Sequence, residues 1–194
     1  MKCLMCESFS LFHICNSCQE LFLTPSIYKR KISNNIEVIS FYKYSEIKDL
    51  LHTKHTDLGY YIYSILAQKS FKKFTETFEF PSNIISIAID DNVENGYSHT
   101  AVLNKALKSK FIKPKYNLLR AQNRVSYSGK SKEFRILNPR NFKLQEFKGD
   151  DVILVDDIIT TGSTLSQALH VMQKRDKKVL FCITLADASL KKTI

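Results

Sequence analysis

The stretch from Val152 to Leu165 constrains the fold of this chain more than any other. Four consecutive aliphatic residues, from Val152 to Val155, predict a short strand that is buried on both faces. Two aspartates, Asp156 and Asp157, follow the strand and lead into a loop of small residues. Beyond the loop, apolar residues recur at helical spacing: Leu165, Ala168, Leu169 and Met172. The sequence therefore predicts a strand, an acidic pair, a short loop and an amphipathic helix, in that order.

The loop between this strand and this helix has the composition of a phosphate cradle. Thr160, Thr161, Ser163 and Thr164 are hydroxyl donors, and Gly162 permits a backbone turn that a Cβ would hinder. A helix N-terminus adds backbone N–H groups and a dipole that favours an anion. The acidic pair can accept hydrogen bonds from hydroxyls, so a phosphorylated sugar fits both halves. The alternative is an ordinary turn with Ser/Thr capping, which does not require paired acids.

This order of residues resembles the motif with which type I phosphoribosyltransferases bind phosphoribosyl pyrophosphate (PRPP): aliphatics, two acids, two aliphatics and Thr-Thr-Gly-Ser-Thr. The resemblance implies that Asp156 and Asp157 contact the ribose hydroxyls and that residues 160–164 hold the 5′-phosphate. It also implies Mg²⁺ on the pyrophosphate that leaves C1 if transfer occurs. The loop differs from a P-loop because no Lys follows the glycine. The sequence shows no distinct base or nucleophile, so the catalytic residues are unassigned.

The N-terminus contains four of the five cysteines, arranged as two Cys-x₂-Cys pairs: Cys3 with Cys6, and Cys15 with Cys18. Two such pairs predict a structural Zn²⁺ held by four thiolates. A disulfide is a weaker alternative because nothing marks an oxidising compartment. A redox Cys-x-x-Cys is also weaker, because a second identical pair lies so close.

The chain is expected to divide into a zinc ribbon over residues 1–24 and a main domain over residues 25–194. A segment as short as the ribbon cannot bury a core, so metal binding would supply most of its folding free energy. The main domain is therefore expected to have a separate core. Residues 21–31 are expected to be a linker, because Thr24-Pro25-Ser26 breaks the pattern. Cys182 lies within an apolar strand and is expected to be inert core.

The net charge of +10 is concentrated in one block, residues 104–148, where 13 Lys/Arg stand against two acids, a net charge of +11. Such a block implies an anionic partner. Aromatic residues alternate with the cations: Phe111, Tyr116, Tyr127, Phe134, Phe142 and Phe147. Cations that follow a backbone and rings on which bases stack are the ingredients of single-strand binding. The candidate DNA-binding residues are Arg120, Arg124, Lys130, Lys132 and Arg135. The alternative is a solvated basic face whose rings fill the core.

A polar stretch, His-Thr-Lys-His, contains Lys54 and His55. We expect this stretch on the exposed surface, with a second anion contact as the alternative. It precedes a predicted helix whose inward residues are Leu58, Tyr61, Ile62, Ile65 and Leu66.

A second unit of strand, loop and helix precedes the basic block. Residues 84–89 predict another buried strand, and the helix after it has Val102, Leu103, Ala106 and Leu107 inward. Between them, Gly96-Tyr97-Ser98-His99 resembles the Arg-Gly-Phe/Tyr-Asn/Ser-Gln/His signature of the ComF family of competence proteins, with Asn95 in place of the Arg. Residues 135–138 (Arg-Ile-Leu-Asn) resemble that family's Arg-x-x-Asn.

With the four cysteines and the PRPP motif, these residues make the chain similar to ComF/ComFC proteins over nearly its whole length. The family role is natural transformation, in which imported single-stranded DNA is handled. The resemblance implies competence and DNA-uptake proteins as partners and a cytoplasmic location, and it allows a peripheral position at the inner face of the cytoplasmic membrane.

Alternating buried strands and helices predict an α/β fold with an open, mostly parallel sheet and helices on both faces. The resemblance refines this to a phosphoribosyltransferase-like domain that carries a zinc ribbon. No apolar run approaches transmembrane length, and the N-terminus lacks a secretion signal.

Two functions are compatible with these features: a competence protein with a PRPP site, and a metabolic enzyme that joins PRPP to a base or an amine. The ribbon and the basic block have no obvious role in a salvage enzyme, which favours the first.

Overall fold

The computed structural model describes residues 1–89, 93, 96–123 and 132–190. Within these residues, seven strands form one sheet in the order β1-β2-β7-β6-β3-β4-β5. The inner strands β2, β7, β6, β3 and β4 are parallel, and the edge strands β1 and β5 are antiparallel to their neighbours. The strands are β1 (Tyr28–Lys31), β2 (Glu37–Lys43), β3 (Ile84–Ile89), β4 (Ile112–Ala121), β5 (Phe142–Leu144), β6 (Asp151–Ile159) and β7 (Lys178–Asp187). The predicted open, mostly parallel sheet is confirmed.

Helices cover both faces of this sheet. The described part of the chain contains α1 (Asn16–Phe22), α2 (Tyr44–His52), α3 (Gly59–Ala67), α4 (Lys73–Thr77), α5 (His99–Ala106), α6 (Lys132–Leu137) and α7 (Ser163–Gln173). A π-helical turn, Gln68–Lys72, joins α3 to α4. Buried side chains of α2, α3 and α5 belong to one apolar cluster, and those of α7 belong to the cluster on the opposite face. None of the described helices is long and apolar enough to cross a membrane.

Strand β6 is the centre of the hydrophobic core. Its side chains alternate between the two faces, so Ile153 and Val155 join the cluster under α3 and α5, whereas Val152 and Leu154 join the cluster under α7. All four are fully buried. The aliphatic run has no polar alternation because helices cover both faces of the strand.

The N-terminal segment shares its core with the rest of the chain. Cys3, Ile14 and Cys18 belong to the same buried cluster as Phe41 and the other residues of that face. Nearby, the hydroxyl of the buried Tyr42 donates to the carbonyl oxygen of Leu23 at 2.8 Å. The expectation of a separate core is therefore wrong, because the ribbon packs on β2 and contributes side chains to the cluster. The division at residue 24 stays a prediction.

The expected linker is wrong at both ends: Leu21 and Phe22 end helix α1, and Tyr28–Lys31 form strand β1, which pairs antiparallel with β2. This strand carries three cations in four residues, and its burial alternates between half-buried and exposed. Edge strands tolerate charge in this way, so the sequence lacks the apolar pattern of a strand.

The structure also places Tyr61 on the outside of α3 at 51% exposure, contrary to its predicted inward position.

The topology determines where a ligand can bind. Strands β3 and β6 are parallel neighbours, but the chain leaves β3 toward β4 on one side and leaves β6 toward β7 on the other. Open α/β sheets bind ligands at the carboxyl ends of such a pair of strands. The acidic pair lies inside β6 near this end, because the strand runs on to Ile159. The predicted position of the pair after the strand is therefore wrong.

Candidate functional site

The loop after β6 opens helix α7 with a glycine in the left-handed conformation. Gly162 has φ of 81° and is the N-cap of α7, so it offers no side chain to the N–H groups of the first turn. A Cβ at this position would lie 2.9 Å from Cγ2 of Ile32, which is closer than carbon atoms pack. Both the backbone angle and the close approach therefore require glycine. The first turn of α7 is left with N–H groups that suit an anion.

Residues of β1 and of the turn after it support this loop from the side. The guanidinium of Arg30 donates to the carbonyl oxygen of Thr160 at 2.6 Å and forms an ion pair with Asp187 at 3.0 Å. The hydroxyls of Ser33 and Ser166 are 2.8 Å apart. The sequence does not predict these contacts, because Arg30 lies in the expected linker and 130 positions separate it from Thr160. The one signal that could have identified the contact is an Arg in an edge strand whose residues alternate between half-buried and exposed positions.

The acidic pair is held by contacts from three separate elements. Lys54 Nζ lies 3.0 Å from Oδ2 of Asp157, the hydroxyl of Tyr63 donates to the same oxygen at 3.3 Å, and His99 Nε2 lies 3.4 Å from it. The Asp157 N–H donates to Oδ1 of Asp156 at 2.8 Å. The expected position of Lys54 on exposed surface is therefore wrong, and its side chain is 25% exposed. His55 is exposed, as expected.

The two carboxylates have opposite pKa shifts. Burial raises the pKa of Asp156 well above its usual value, and the negative charge of Asp157 adds to the rise. Burial also acts to raise the pKa of Asp157, but the attraction of Lys54 and His99 outweighs it and this pKa lies below its usual value. The charge of Asp157 in turn raises the pKa of Lys54. Asp157 is therefore the stronger acid of the pair, and Asp156 takes up a proton first on acidification.

The second motif, Gly96-Tyr97-Ser98-His99, lies beside the acidic pair. Gly96 has φ of 81°, and the side chain of Ser98 caps α5 by accepting from the N–H of Ala101 at 3.2 Å. The hydroxyl of Tyr97 donates to the carbonyl oxygen of Lys54 at 2.8 Å. The motif therefore holds both His99 and the backbone of Lys54 near Asp157. Asn95, which takes the place of the family's Arg, lies outside the described residues.

The four N-terminal cysteines converge on one point. Their Sγ atoms all lie within 4.8 Å of one another, and those of Cys6 and Cys15 are 3.7 Å apart. Sulfurs about 2.3 Å from a tetrahedral zinc lie about 3.8 Å apart, whereas a disulfide requires about 2.05 Å. The Cys15 N–H donates to Sγ of Cys3 at 3.3 Å. This bond, together with weaker contributions from the N–H groups of Cys6 and Met5, lowers the pKa of that thiol to about 6. The arrangement fits Zn²⁺ bound by thiolates.

The candidate DNA-binding residues are only partly described. The side chain of Arg120 is exposed on β4 and its guanidinium donates to Oδ1 of Asn117 at 2.5 Å. Lys132 and Arg135 belong to α6, but their side chains are not among the described ones, and Arg124 and Lys130 lie outside the described residues. Two of the block's rings belong to the core: Phe142 is 8% exposed, and Phe147 packs against the same cluster.

Known proteins provide a comparison for this site. The model of the phosphoribosyl transferase domain matches residues 89–192, more than half of the chain, including both motifs at the ends of β3 and β6. Similar solved structures include a hypoxanthine phosphoribosyltransferase from Staphylococcus aureus, with 14% identity, a TM-score of 0.40 and 68% of each chain covered. Another is a hypoxanthine phosphoribosyltransferase from Trypanosoma cruzi, with 15% identity, a TM-score of 0.41, and 68% of this chain and 72% of that chain covered. An adenine phosphoribosyltransferase has 20% identity, a TM-score of 0.40 and 88% of each chain covered. No curated protein sequence matches the chain significantly.

Proposed function

Because the chain belongs to the phosphoribosyl transferase domain family, we propose that the carboxyl ends of β3 and β6 bind PRPP. The observation that carries this proposal is the acidic pair near the end of β6, separated by four residues from a left-handed glycine that opens α7. In the bound state, residues 160–164 hold the 5′-phosphate through hydroxyls and backbone N–H groups, and Asp156 and Asp157 accept hydrogen bonds from the ribose hydroxyls.

Mg²⁺ fits the same donor set, because carboxylate oxygens with open positions for phosphate oxygens are the ligands it takes. Asp156 and Asp157 supply those oxygens in this chain. When it is bound with PRPP, the ion neutralises charge on the pyrophosphate leaving group. Lys54 and His99 both lie beside the acidic pair, and Lys54 adds positive charge on the side from which the anionic leaving group would be approached. In transfer, an acceptor atom forms the new bond to C1 of the ribose while the bond from C1 to the pyrophosphate oxygen breaks.

The biological role that we propose is natural transformation, with the protein acting on imported single-stranded DNA at the cytoplasmic side of the membrane. Its support is the combination of a four-cysteine centre, a block of net charge +11 and the resemblance to ComF proteins. Structural Zn²⁺, competence and DNA-uptake proteins as partners, and a peripheral position at the inner face of the membrane belong to the same proposal. Metabolic transfer of ribose 5-phosphate from PRPP to a nucleobase or an amine is the second candidate, and the complete PRPP-type loop is compatible with both functions.

A pair of assays separates the two functions. The first measures pyrophosphate release from PRPP with a panel of nucleobases and ammonia, and the second measures fluorescence anisotropy with a labelled single strand. The transformation role predicts single-strand binding at physiological salt and no turnover of the free bases. Rapid turnover of one base by a protein that binds no single strand would establish the metabolic function instead.

A further inference from the structure

A row of aromatic rings connects the four-cysteine segment to the proposed PRPP site. The rings of His13 and Tyr61 lie 4.5 Å apart, those of Tyr61 and Tyr60 lie 5.6 Å apart, and those of Tyr60 and Tyr97 lie 6.0 Å apart. Tyr97 hydrogen-bonds to the backbone of Lys54, whose side chain reaches Asp157. We call these four rings the aromatic row. One end of the row lies on the ribbon, and the other lies beside the acidic pair.

The middle of the aromatic row is open to solvent. Tyr60 is 46% exposed and Tyr61 is 51% exposed, although both belong to a helix whose inner side is fully buried at Ile62, Tyr63 and Leu66. The core of α3 is therefore complete without these two rings. Neighbouring exposed tyrosines present faces on which unpaired bases can stack, and such stacking tolerates any base.

A groove lined with lysines begins at Tyr60. It lies between α5 and the helical segment formed by α3 and the π-helical turn, and it encloses about 430 Å³. We call it the lysine groove, and its lining includes Tyr60, Ser64, Gln68, Lys72, Lys105 and Lys108. None of the three lysines forms an ion pair within the part of the chain that the structure describes. A π-helical turn often marks a functional site.

The segments that form the lysine groove carry cations and no acids. Residues 59–75 contain Lys69, Lys72 and Lys73 but no Asp or Glu. Residues 96–108 contain Lys105 and Lys108 and likewise no Asp or Glu. A concave surface with one sign of charge attracts an extended anion, and a phosphate backbone is such an anion.

We propose that the lysine groove and the aromatic row together bind a single-stranded nucleic acid. The lysines neutralise backbone phosphates, and the rings of Tyr60 and Tyr61 stack with bases. The proposal rests on the single-strand role given above, but it assigns the interface to α3 and α5 instead of to β4 and α6. A duplex is excluded from the rings because its base faces are already stacked.

The test measures fluorescence anisotropy of the full-length, zinc-loaded chain with labelled oligothymidylate, oligouridylate and a duplex of the same length, over a salt series. The double variant Tyr60→Ala/Tyr61→Ala should lower single-strand affinity roughly tenfold or more and leave the salt slope unchanged. The triple variant Lys72→Gln/Lys105→Gln/Lys108→Gln should reduce the log–log salt slope by about 2, at about 0.7 per lost phosphate contact. Both oligothymidylate and oligouridylate should show these losses.

Matched variants keep the result specific. Lys113→Gln/Lys143→Gln/Lys148→Gln removes the same charge from exposed positions of the basic block outside the groove, and Tyr116→Ala removes a ring of the block that is 44% exposed. Both should bind nearly as wild type does. Tyr60→Phe/Tyr61→Phe keeps the rings and should therefore retain the single-strand affinity of the wild type. PRPP binding, measured by calorimetry, should be unchanged in every variant.

Failure of this interface can be told apart from failure of the proposed role. The wild-type chain could bind single strands while only Lys113→Gln/Lys143→Gln/Lys148→Gln lowers the affinity. In that case the interface lies in the basic block, and the inference is overturned. Tighter binding of the duplex would overturn it as well. If the wild-type chain binds no single strand at any salt concentration, the transformation role itself fails.

Discussion

Asp157 shows how one buried carboxylate depends on residues that are distant in sequence. Lys54, Tyr63 and His99 all contact its Oδ2 atom, and the carboxylate retains its charge because these contacts offset the cost of burial. The acidic pair could be predicted from the aliphatic run before it. Lys54 could not, because 103 residues separate it from Asp157 and no local pattern reports such a contact.

The substitution Lys54→Met should destabilise the fold by about 3 kcal/mol at neutral pH, since it leaves a buried carboxylate without its main partner. The lowered pKa of Asp157 means that this stabilisation is present above the unfolded pKa of about 3.9 and is lost as the pH falls through the folded pKa. The difference in unfolding free energy between variant and wild type should therefore become smaller in acid. Urea unfolding at pH 7 and at about pH 2 measures it, and Lys48→Met, at an exposed position of α2, is the control. An equal difference at both pH values would contradict the assignment.

The loop from β6 to α7 was predictable as an element, but the segment that supports it was not. Strands β3 and β6 and helix α7 each carry a continuous apolar pattern, and the structure confirms all three. Strand β1 has three cations in four residues, so its sequence resembles a linker. An edge strand pairs through its backbone, and that pairing leaves little trace in side-chain type.

Gly162→Ala should weaken PRPP binding and cost more stability than Gly96→Ala. Both glycines have φ of 81°, so each alanine bears the left-handed backbone cost of about 1–2 kcal/mol. At Gly96 nothing lies within 4 Å of the new Cβ, whereas at Gly162 it meets Ile32. Calorimetry with PRPP and urea unfolding compare the two variants. Adding Ile32→Ala to Gly162→Ala should recover part of the difference, and equal losses in the two single variants would show that the contact with Ile32 is unimportant.

One apolar cluster extends from the N-terminal cysteines to α5, so the chain should respond to zinc as a unit. Cys3 and Cys18 are buried in this cluster together with residues of β2 and α3. The spacing of the cysteines predicted the metal centre, but it carried no information about what the centre packs against. The separate core expected from the short ribbon was wrong for that reason.

Removal of zinc should therefore lower the unfolding temperature of the whole chain. Metal analysis should find about one zinc per chain, and Cys3→Ser/Cys6→Ser should lose it. Scanning calorimetry should then show a single transition at lower temperature, because a cluster shared across the chain unfolds cooperatively. Cys182→Ala is the control, since this cysteine is buried in the sheet away from the centre and its loss should leave the zinc bound. An unchanged main transition in the zinc-free variant would indicate two independent cores.

The PRPP site is tested most directly by isothermal titration calorimetry of PRPP with Mg²⁺ into the wild type and into Asp156→Asn/Asp157→Asn. The double variant keeps the shape of both side chains but replaces one acceptor oxygen of each with an NH₂ group, which can only donate and cannot accept from a ribose hydroxyl. Each lost hydrogen bond should cost about 1–3 kcal/mol, so binding should fall below detection while the circular dichroism spectrum stays the same. Wild-type affinity in a folded double variant would contradict the site, and the loop would then be only the start of a helix.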